Sequence, residues 1–442
     1  MYRYATHLAL ITSFVTCALP LFAQQNSKAT AKSATTYNIY SGSTHAHSAY
    51  TWSHGEQFAK SGCAGVLMFS KDPTSEAPYS WRLEGEGPKK KAPCYSMYVM
   101  NGFQYPSPDM KVRPDWQKVQ GPPSAHYAAA KAKGFDFYVI SDHSQEAAFQ
   151  PVSPNNPMWM SGKKEALAAT DKDFVAINGF EFSENDGPGG VGHLNVMNTD
   201  SMLNALIPGV DLPYFYKWLA TAKPNGAGPV VASFNHPGPH QYADFADRTP
   251  AATEIITMLE VINSNKNIHY PAFINALDKG WKVSPVSGND NHGLTGIQTE
   301  TSRTFVLATS KTKVAILDAM KHRRTYASLD NNIQCRYTVN KAIMGSTLTR
   351  PGTFQFHISI SDPDTDNPKD KITKIDIIKD GGAVAETYTP DAPDYTVEWD
   401  PTIEDTTSKY FFVRVWNAGG GDAPGADPEK PIAWLAPVWT GR

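Results

Sequence analysis

The sequence predicts an α/β protein with a largely parallel sheet, most simply a barrel, followed by a small antiparallel β domain. First, short apolar runs alternate with helix-like stretches over roughly 300 residues, as in parallel α/β folds. Second, the runs are continuously apolar and rich in β-branched and aromatic residues, which is typical of strands buried on both faces. Third, the strands after residue 332 are separated by Asp, Pro and Gly turns, which favours a β-sandwich for residues 333–442.

Eight apolar runs are predicted strands, and five stretches between them are predicted helices. Two of these helices end in a glycine, which suits a C-terminal cap. The predicted strands are YNIY (37–40), FDFYVI (135–140), FVAINGFEF (174–182), HLNVMN (193–198), VVASF (230–234), MLEVI (258–262), VSPVS (283–287) and TFVLAT (304–309). The predicted helices are SAHYAAAKAKG (124–134), KKEALAATD (163–171), YFYKWLATAK (214–223), PAFINALDKG (271–280) and KVAILDAMKHRR (313–324).

The N-terminus resembles a targeting segment. Arg3 precedes the apolar stretch 8–22, and Ala23 offers a small residue for cleavage, so residues 1–23 are predicted to be a signal peptide. The apolar stretch is short and is followed by a polar linker, 24–36, which argues against stable membrane insertion. We therefore expect a periplasmic or secreted protein.

Residues 62–124 interrupt the strand–helix pattern of the 37–332 barrel with a segment rich in Gly, Pro, Lys and aromatic residues. Such a loop-rich insertion is either a lid over a site or a decoration of the fold. Cys63 and Cys94 lie within it and flank its first half. Either they form a disulfide, or the cysteines that remain after cleavage are all buried thiols. The acidic stretch 362–371, DPDTDNPKDK, does not match EF-hand spacing, which favours a solvated loop over a calcium site.

The charge balance gives little reason to expect a nucleic-acid partner. Charged residues make up 19% of the chain and its net charge is −3, without a basic field. A small-molecule substrate is the expected partner, and the sequence leaves the oligomeric state open.

Residues of metal-ligand type follow the predicted strands. Since the carboxyl ends of parallel barrel strands converge on one mouth, side chains distant in sequence would meet there. His193 is an exception, because it begins its run after a glycine-rich loop. The other candidates at strand ends are His45, His47, Asp142, His143, Glu181, His236, Asp290 and His292.

This combination of imidazoles and carboxylates suits Zn, Mn or Fe as divalent ions. The candidates outnumber the four ligands of one tetrahedral zinc, so we expect two or three metal ions. Glu181 lies in an apolar strand, where a carboxylate needs a partner or a metal, and it is a natural bridge between two ions.

Six motifs in this order resemble those of the PHP (polymerase and histidinol phosphatase) superfamily of metallohydrolases. They are THAH (44–47), SDH (141–143), GFEF (179–182), GHLNV (192–196), NHPG (235–238) and GNDNHG (288–293). The stretches SGSTHAHSAYTWSHGE (41–56), LEVINS (259–264) and RRTYAS (323–328) are most similar to the exported branch that includes carbaryl-hydrolase-like enzymes.

The resemblance covers residues 37–332 and implies a distorted (β/α)7 barrel with a di- or trinuclear metal centre. It implies as metal ligands His45, His47, His143, Glu181, His193, His236, Asp290 and His292. The family often places a further Asp or His where this chain has Ser53, one residue before His54. Either a local bulge brings His54 into the site, or that ligand is missing and a third metal is in doubt.

The expected chemistry is hydrolysis, because metal binding can lower the pKa of water from 15.7 to about 7. Asp142 or His54 could carry the proton, although Asp142 could instead support a histidine. Arg323 and Arg324 could clamp a phosphate or carboxylate, or they could be cations favoured at a helix C-terminus. Glu260, in LEVINS, could support a ligand.

The sequence leaves four functions open. The first is a phosphoesterase, and the second is a hydrolase of carboxylic or carbamic esters with the same centre. An amidohydrolase is third, although those enzymes typically use a carboxylated lysine and finish on a lone aspartate. The fourth is a binding protein whose metals are structural, in which case protein ligands would close the site.

Overall fold

A computed structural model of the 442-residue chain describes residues 35–51, 121–146, 149, 152–183, 189–205, 207, 209–420 and 430–442. It also describes the backbone of four short strands between residues 65 and 107. The predicted signal peptide, His54, Cys63 and Cys94 lie outside the described residues.

The predicted apolar runs all contain strands. In chain order the described strands are β1 (Asn38–Ser43), β2 (Gly65–Phe69), β3 (Tyr79–Leu83), β4 (Ser96–Met100), β5 (Phe103–Ser107), β6 (Phe137–His143), β7 (Val175–Ser183), β8 (His193–Met197), β9 (Val231–Asn235), β10 (Ile256–Asn263), β11 (Asn267–Ile268), β12 (Ser284–Ser287), β13 (Arg303–Ala308), β14 (Thr325–Ser328), β15 (Gln334–Val339), β16 (Ala342–Ile343), β17 (Thr353–Ser361), β18 (Ile372–Lys379), β19 (Ala383–Tyr388), β20 (Thr396–Trp399), β21 (Thr402–Glu404), β22 (Tyr410–Asn417), β23 (Ala433–Leu435) and β24 (Val438–Trp439).

Helices lie between the strands of the first part of the chain, and polar side chains cap several of them. Asn156, Asp211, Thr249 and Thr312 accept hydrogen bonds from backbone N–H groups in the first helical turn. The described helices are α1 (Pro123–Ala132), α2 (Pro157–Ala169), α3 (Leu212–Thr221), α4 (Pro250–Ile255), α5 (Tyr270–Asp278), α6 (Leu294–Thr299) and α7 (Lys313–Lys321).

The main sheet is mixed, whereas the sequence pattern predicts a largely parallel one. Its strands lie in the order β11-β10-β9-β8-β7-β6-β1-β13-β14-β23-β22-β18-β19, with β12 beside β10 and β24 beside β22. The pairs β1–β6, β6–β7, β9–β10 and β10–β12 are parallel, but β8 runs antiparallel to both neighbours and β13 antiparallel to β1. Only residues 184–192 separate β7 from β8, which is too short a connection for a parallel crossover.

Hydrogen bonds also link β12 to the strands that follow it. The Ser287 N–H donates to Thr304 Oγ1 at 2.7 Å, and the Thr325 hydroxyl donates to the Pro285 carbonyl at 2.9 Å. The first bond places β12, which pairs with β10, beside β13, which pairs with β1, and the second joins β12 to β14. A seven-unit barrel remains the prediction for this part of the chain.

The C-terminal strands belong to two sheets. β15, β16, β17, β20 and β21 form a five-stranded antiparallel sheet, while β18, β19, β22, β23 and β24 extend the main sheet beyond β14. Residues Tyr37–Arg442 form one compact unit, and a separate domain from residue 333 remains a prediction. Within the predicted insertion, β2 pairs with β3 and β4 with β5.

The core explains the continuous apolar runs. Strands β6, β7 and β10 are buried along their whole length. On one side, β-strand residues such as Val139, Ile177 and Val306 pack with Ile316 and Met320 of α7. Cys335 is a buried free thiol. Among the described residues, no helix has the length and apolar character needed to cross a membrane.

A substitution at Gly179 tests the close contact between β7 and β8. A Cβ at this position would lie 2.5 Å from the Val196 carbonyl oxygen of the neighbouring strand. We expect Gly179→Ala to lower the free energy of unfolding by about 1–3 kcal/mol, the usual cost of overpacking. The measurement is thermal unfolding of metal-stripped protein.

Gly352→Ala is the matched control, since Gly352 is exposed and its added Cβ would meet only Thr406, at 3.8 Å. Its effect should stay within about 0.5 kcal/mol. Equal midpoints for the two variants would contradict the close packing of β7 against β8.

Candidate metal centre

The predicted ligands lie along one edge of the main sheet. His143 is the last residue of β6 and pairs with Glu181 of β7, while His236 directly follows β9. His193 begins β8, but that strand is reversed, so its first residue pairs with Ser183 at the same edge. The antiparallel orientation of β8 therefore brings a residue from a strand start to the ends of its neighbours.

Backbone hydrogen bonds join the first and last predicted motifs. The Asp290 N–H donates to the His45 carbonyl at 2.9 Å, and the His47 N–H donates to the Asn291 carbonyl at 2.8 Å. Ala46 and Asn291 form a parallel bridge between these bonds. The loop after β1 and the loop after β12 are thus held side by side.

Glu181 is surrounded by imidazoles. Its Oε1 lies 3.2 Å from His45 Nε2 and 3.3 Å from both His193 Nδ1 and His236 Nε2. Its Oε2 lies 3.0 Å from His143 Nε2 and 3.7 Å from His47 Nε2. One carboxylate therefore contacts or approaches five histidines, which are His45, His47, His143, His193 and His236.

Asp290 supplies a second carboxylate beside the same histidines. Its Oδ1 lies 3.0 Å from His47 Nε2 and 3.4 Å from His45 Nε2. These two ring nitrogens are 2.9 Å apart, and the ring of His292 stacks on His47 with centroids 4.2 Å apart.

Four overlapping groups of three residues present donor atoms within 4.8 Å of one another. Between them they contain all eight predicted ligands that the structure describes. The groups are His45–His47–Glu181, His45–His236–Asp290, Glu181–His193–His236 and His47–His143–His292.

The charges of the cluster fit divalent cations. Burial would raise the pKa values of Glu181 and Asp290, but the surrounding histidines outweigh it and hold both well below their usual range. Burial lowers the pKa of His45, but Glu260, Asp290 and Glu181 together hold it well above its usual range. The pKa of His236 is likewise raised to about 9 by Glu181, Asp290 and Glu260, against the effect of burial. The buried carboxylates thus require positive charge between them, which protons supply on imidazoles or metal ions supply directly.

Two other histidines are suited to act as neutral ligands. Burial, together with the neighbouring histidines, holds the pKa of His47 well below its usual range. Burial lowers the pKa of His292 to about 4. Metal ions bind the neutral imidazole, so these two rings are in the required state at neutral pH.

The cluster is buried at its base and partly open at its rim. The side chains of His45, His47 and Glu181 are at most 1% exposed, whereas Asp290 is 19% and His292 25% exposed. Within the described residues, a small molecule could therefore approach the donors from the side of Asp290 and His292.

Glu260 of β10 positions two of the ligands. It accepts hydrogen bonds from His45 Nδ1 and from the His236 N–H, both at 2.8 Å. A carboxylate only accepts, so Nδ1 of His45 carries a proton and Nε2 faces the cluster. A Cβ on Gly288 would lie 1.9 Å from Glu260 Oε1, so glycine is required beside this carboxylate.

Asp142 supports the loop that carries His47. Its oxygens accept hydrogen bonds from the Ser48 N–H at 2.7 Å, the Ser48 hydroxyl at 2.8 Å and the Thr51 hydroxyl at 2.8 Å. Burial raises its pKa to about 6. Of the two predicted roles, these contacts favour support of a histidine over proton transfer.

Arg323 and Arg324 lie away from the cluster, although the sequence predicts a possible anion clamp. Arg323 donates to the carbonyls of Thr253 and Lys282, which precede β10 and β12. Arg324 contacts Asp318 and the carbonyl of Leu307, which pairs with Ile39 near the start of β1. Both side chains therefore lie at the opposite ends of the strands from the candidate ligands.

Asn235 is a site residue that is not among the predicted ligands. Its side-chain N–H donates to Glu181 Oε1 at 2.9 Å, and the Ser183 hydroxyl donates to Glu181 Oε2 at the same distance. The position of Asn235 directly before His236 in NHPG is the signal that could have indicated it.

Comparison with known proteins gives limited similarity. No protein-family model matches the chain, and no curated protein sequence matches it. The chain is similar to the crystal structure of a two-domain protein from Bacteroides vulgatus ATCC 8482 that contains a predicted PHP-like metal-dependent phosphoesterase. The identity is 16%, the match covers 91% of this chain and 95% of that chain, and the TM-score is 0.40.

Replacing Glu181 tests the cluster as a metal site. Glu181→Gln keeps the size of the side chain but removes the charge that the surrounding histidines share, so the purified variant should lose at least one equivalent of divalent metal. Metal content is measured by mass spectrometry. Glu254→Gln is the control, because the Glu254 side chain is 72% exposed. Retention of all metal by Glu181→Gln would contradict the assignment of Glu181 as a metal ligand.

Replacing Glu260 tests whether it positions His45 and His236 for metal binding. Glu260→Gln should weaken metal affinity by about 10–100-fold, the usual effect of losing a residue that orients a histidine ligand. Competition with a chromophoric chelator measures the affinity, while thermal unfolding of the metal-free protein checks the fold. An unchanged affinity would show that the hydrogen bond to His45 Nδ1 does not matter for metal binding.

Proposed function

We propose that the protein is a metal-dependent hydrolase of phosphoesters, a member of the PHP superfamily with two or three divalent ions. The observation that carries the proposal is the meeting of six histidines with Glu181 and Asp290 at one sheet edge. The six sequence motifs that resemble the superfamily supply these same residues in order.

The donor set supports a catalytic centre better than a structural one. A structural zinc site is closed by four protein ligands, whereas this cluster offers eight candidate residues and a partly exposed rim. Catalytic sites keep a position for water or substrate. A binding protein with structural metals is therefore the weaker proposal.

The residues of the chain would hold and orient the reacting groups. Divalent ions bound here would supply water of lowered pKa and polarise a substrate oxygen. Glu181 lies between the histidine groups and would bridge them, while His45, fixed by Glu260, and His47, on the loop fixed by Asp142, would define the buried base. Substrate would enter from the side of Asp290 and His292.

Hydrolysis of carboxylic or carbamic esters is the second candidate. The oxygens of a phosphoester are anionic, so a centre of divalent cations would bind them well. However, neither arginine predicted as an anion clamp contacts the cluster, and a neutral ester needs no such clamp. The stretches similar to carbaryl-hydrolase-like enzymes favour the same alternative. An amidohydrolase ranks lower, because Glu181 stands where those enzymes use a carboxylated lysine.

Export is part of the proposal. The predicted signal peptide 1–23 supports a periplasmic or secreted location. Expression of the full chain followed by N-terminal sequencing of the mature protein tests this, and cleavage after Ala23 is the expected result.

Rates with paired substrates test the function. Metal-stripped protein is reloaded with Zn, Mn or Fe and assayed on p-nitrophenyl phosphate, bis-p-nitrophenyl phosphate, naphthyl acetate and naphthyl methylcarbamate. We expect turnover of at least one phosphoester, and a loss of more than about 100-fold in Glu181→Gln because charge at the metal centre is lost. Glu254→Gln should retain the full rate.

The outcomes separate the candidates. Turnover of the naphthyl substrates without any phosphoester turnover would overturn the phosphoesterase in favour of the ester hydrolase. Full metal content with no turnover on any substrate would favour a binding protein.

A further inference from the structure

A second group of acidic residues lies outside the candidate metal centre, where the chain passes between the two large sheets. Asp330 is in the turn between β14 and β15, and Asp362 directly follows β17. Asp370 ends a short 3-10 turn, Pro368–Asp370, just before β18. These segments connect the main sheet with the five-stranded sheet.

The three carboxylates are close together and mostly buried. One oxygen from each lies within 4.8 Å of the others. Asp362 is 3% and Asp370 8% exposed. Carboxylates are rarely buried so far unless they are paired or coordinate a metal, yet none of the ion pairs among the described residues includes any of the three.

Asp362 provides an independent indication of a ligand. Its Oδ1 accepts a hydrogen bond from the Asp364 N–H at 2.9 Å, but its Oδ2 is shielded from solvent and has no hydrogen-bond partner among the described residues. Asn332, two residues after Asp330, also has a buried side-chain oxygen without such a partner. Burial of an unsatisfied oxygen acceptor is costly, and a cation removes that cost.

The other two carboxylates are held in place from outside the group. Asp330 Oδ1 accepts from the N–H groups of Asn332 and Ile333, both at 2.8 Å. Asp370 Oδ2 accepts from the Asn367 side chain at 2.6 Å. These bonds fix the turns. Asp330 keeps its second oxygen, while Oδ1 of Asp370 accepts a long hydrogen bond, 3.5 Å, from the Asn417 side chain.

Charge repulsion among the three carboxylates also favours a bound cation. Burial, with Asp330, Asp370 and Asp364 nearby, raises the pKa of Asp362 to about 7. A bound cation would allow all three to be ionised.

We propose that Asp330, Asp362 and Asp370 bind a Ca²⁺ ion that ties the two sheets together. The available donors are all oxygens, which suit hard cations and not zinc. Three carboxylates on separate turns suit the variable coordination of Ca²⁺ better than the strict octahedron of Mg²⁺. This site is separate from the histidine cluster and has a structural role.

Thermal unfolding with added Ca²⁺ tests the proposal on the full chain carrying its own metals. We expect the midpoint to rise by about 2 °C or more in 5 mM Ca²⁺, and less in Mg²⁺. Asp362→Asn and Asp370→Asn should each abolish the rise. Asp391→Asn, at an exposed acidic position in the same part of the chain, should retain it.

A second readout separates Ca²⁺ binding from a merely structural role of Asp362. In Ca²⁺-free buffer, Asp362→Asn should unfold at or above the wild-type midpoint, because the variant relieves charge repulsion. In Ca²⁺ it should unfold below wild type. This reversal is not expected of a residue that only packs or hydrogen-bonds.

Two results would overturn the proposal. One is an equal rise in the wild type and both asparagine variants, which would place Ca²⁺ elsewhere. The other is no rise in wild type together with no heat of Ca²⁺ binding in calorimetry at millimolar concentrations, which would make the stretch 362–371 a solvated loop. Glu181→Gln should keep the Ca²⁺ response, so failure here is distinguishable from failure of the hydrolase proposal.

Discussion

The fully buried carboxylate of Glu181 is the constraint around which the candidate metal centre is arranged. Ring nitrogens of four histidines lie within 3.3 Å of it, and they come from the loop after β1 and from β6, β8 and the end of β9. A single buried charge would be unstable, so these elements must bring compensating groups to one point. The sheet order places β7 next to both β6 and β8, which makes that possible.

Rigid supports around the cluster explain how its donors keep their places. Glu260 fixes the tautomer of His45 and the backbone at His236, while Asp142 holds the turn beside His47. His236 and Asp290 have φ angles of 29° and 51°, a region that side-chain-bearing residues rarely adopt. Such backbone is found where surrounding contacts over-determine the conformation, as the hydrogen bonds to Glu260 and His45 do here.

The sequence pattern predicts the strands and most of the candidate ligands. It does not predict the direction of each strand or the sheet edge that a side chain faces. Apolar runs predict the strands because both faces are buried, and candidate ligands are found by their place after those runs. The reversal of β8 depends on a short connection and cannot be read from its apolar residues, so the sequence alone does not place His193 at the site. Arg323 and Arg324 are candidates in the sequence but lie away from the site. A charged pair after a helix does not indicate in sequence which edge of the sheet it faces. The role of His54 stays a prediction.

The backbone bonds between the loops at His45 and Asp290 have a consequence for the order of events during folding. His47 and Asp290 are 243 residues apart, yet their side chains are 3.0 Å apart. Contacts of such sequence separation form late, since a long loop must close before they contribute. During synthesis from the N-terminus, roughly the first two-thirds of the chain must be made before Asp290 can join His45 and His47. The two donor groups that include Asp290 or His292 are therefore completed late, and a chain that stops before β12 cannot complete the centre.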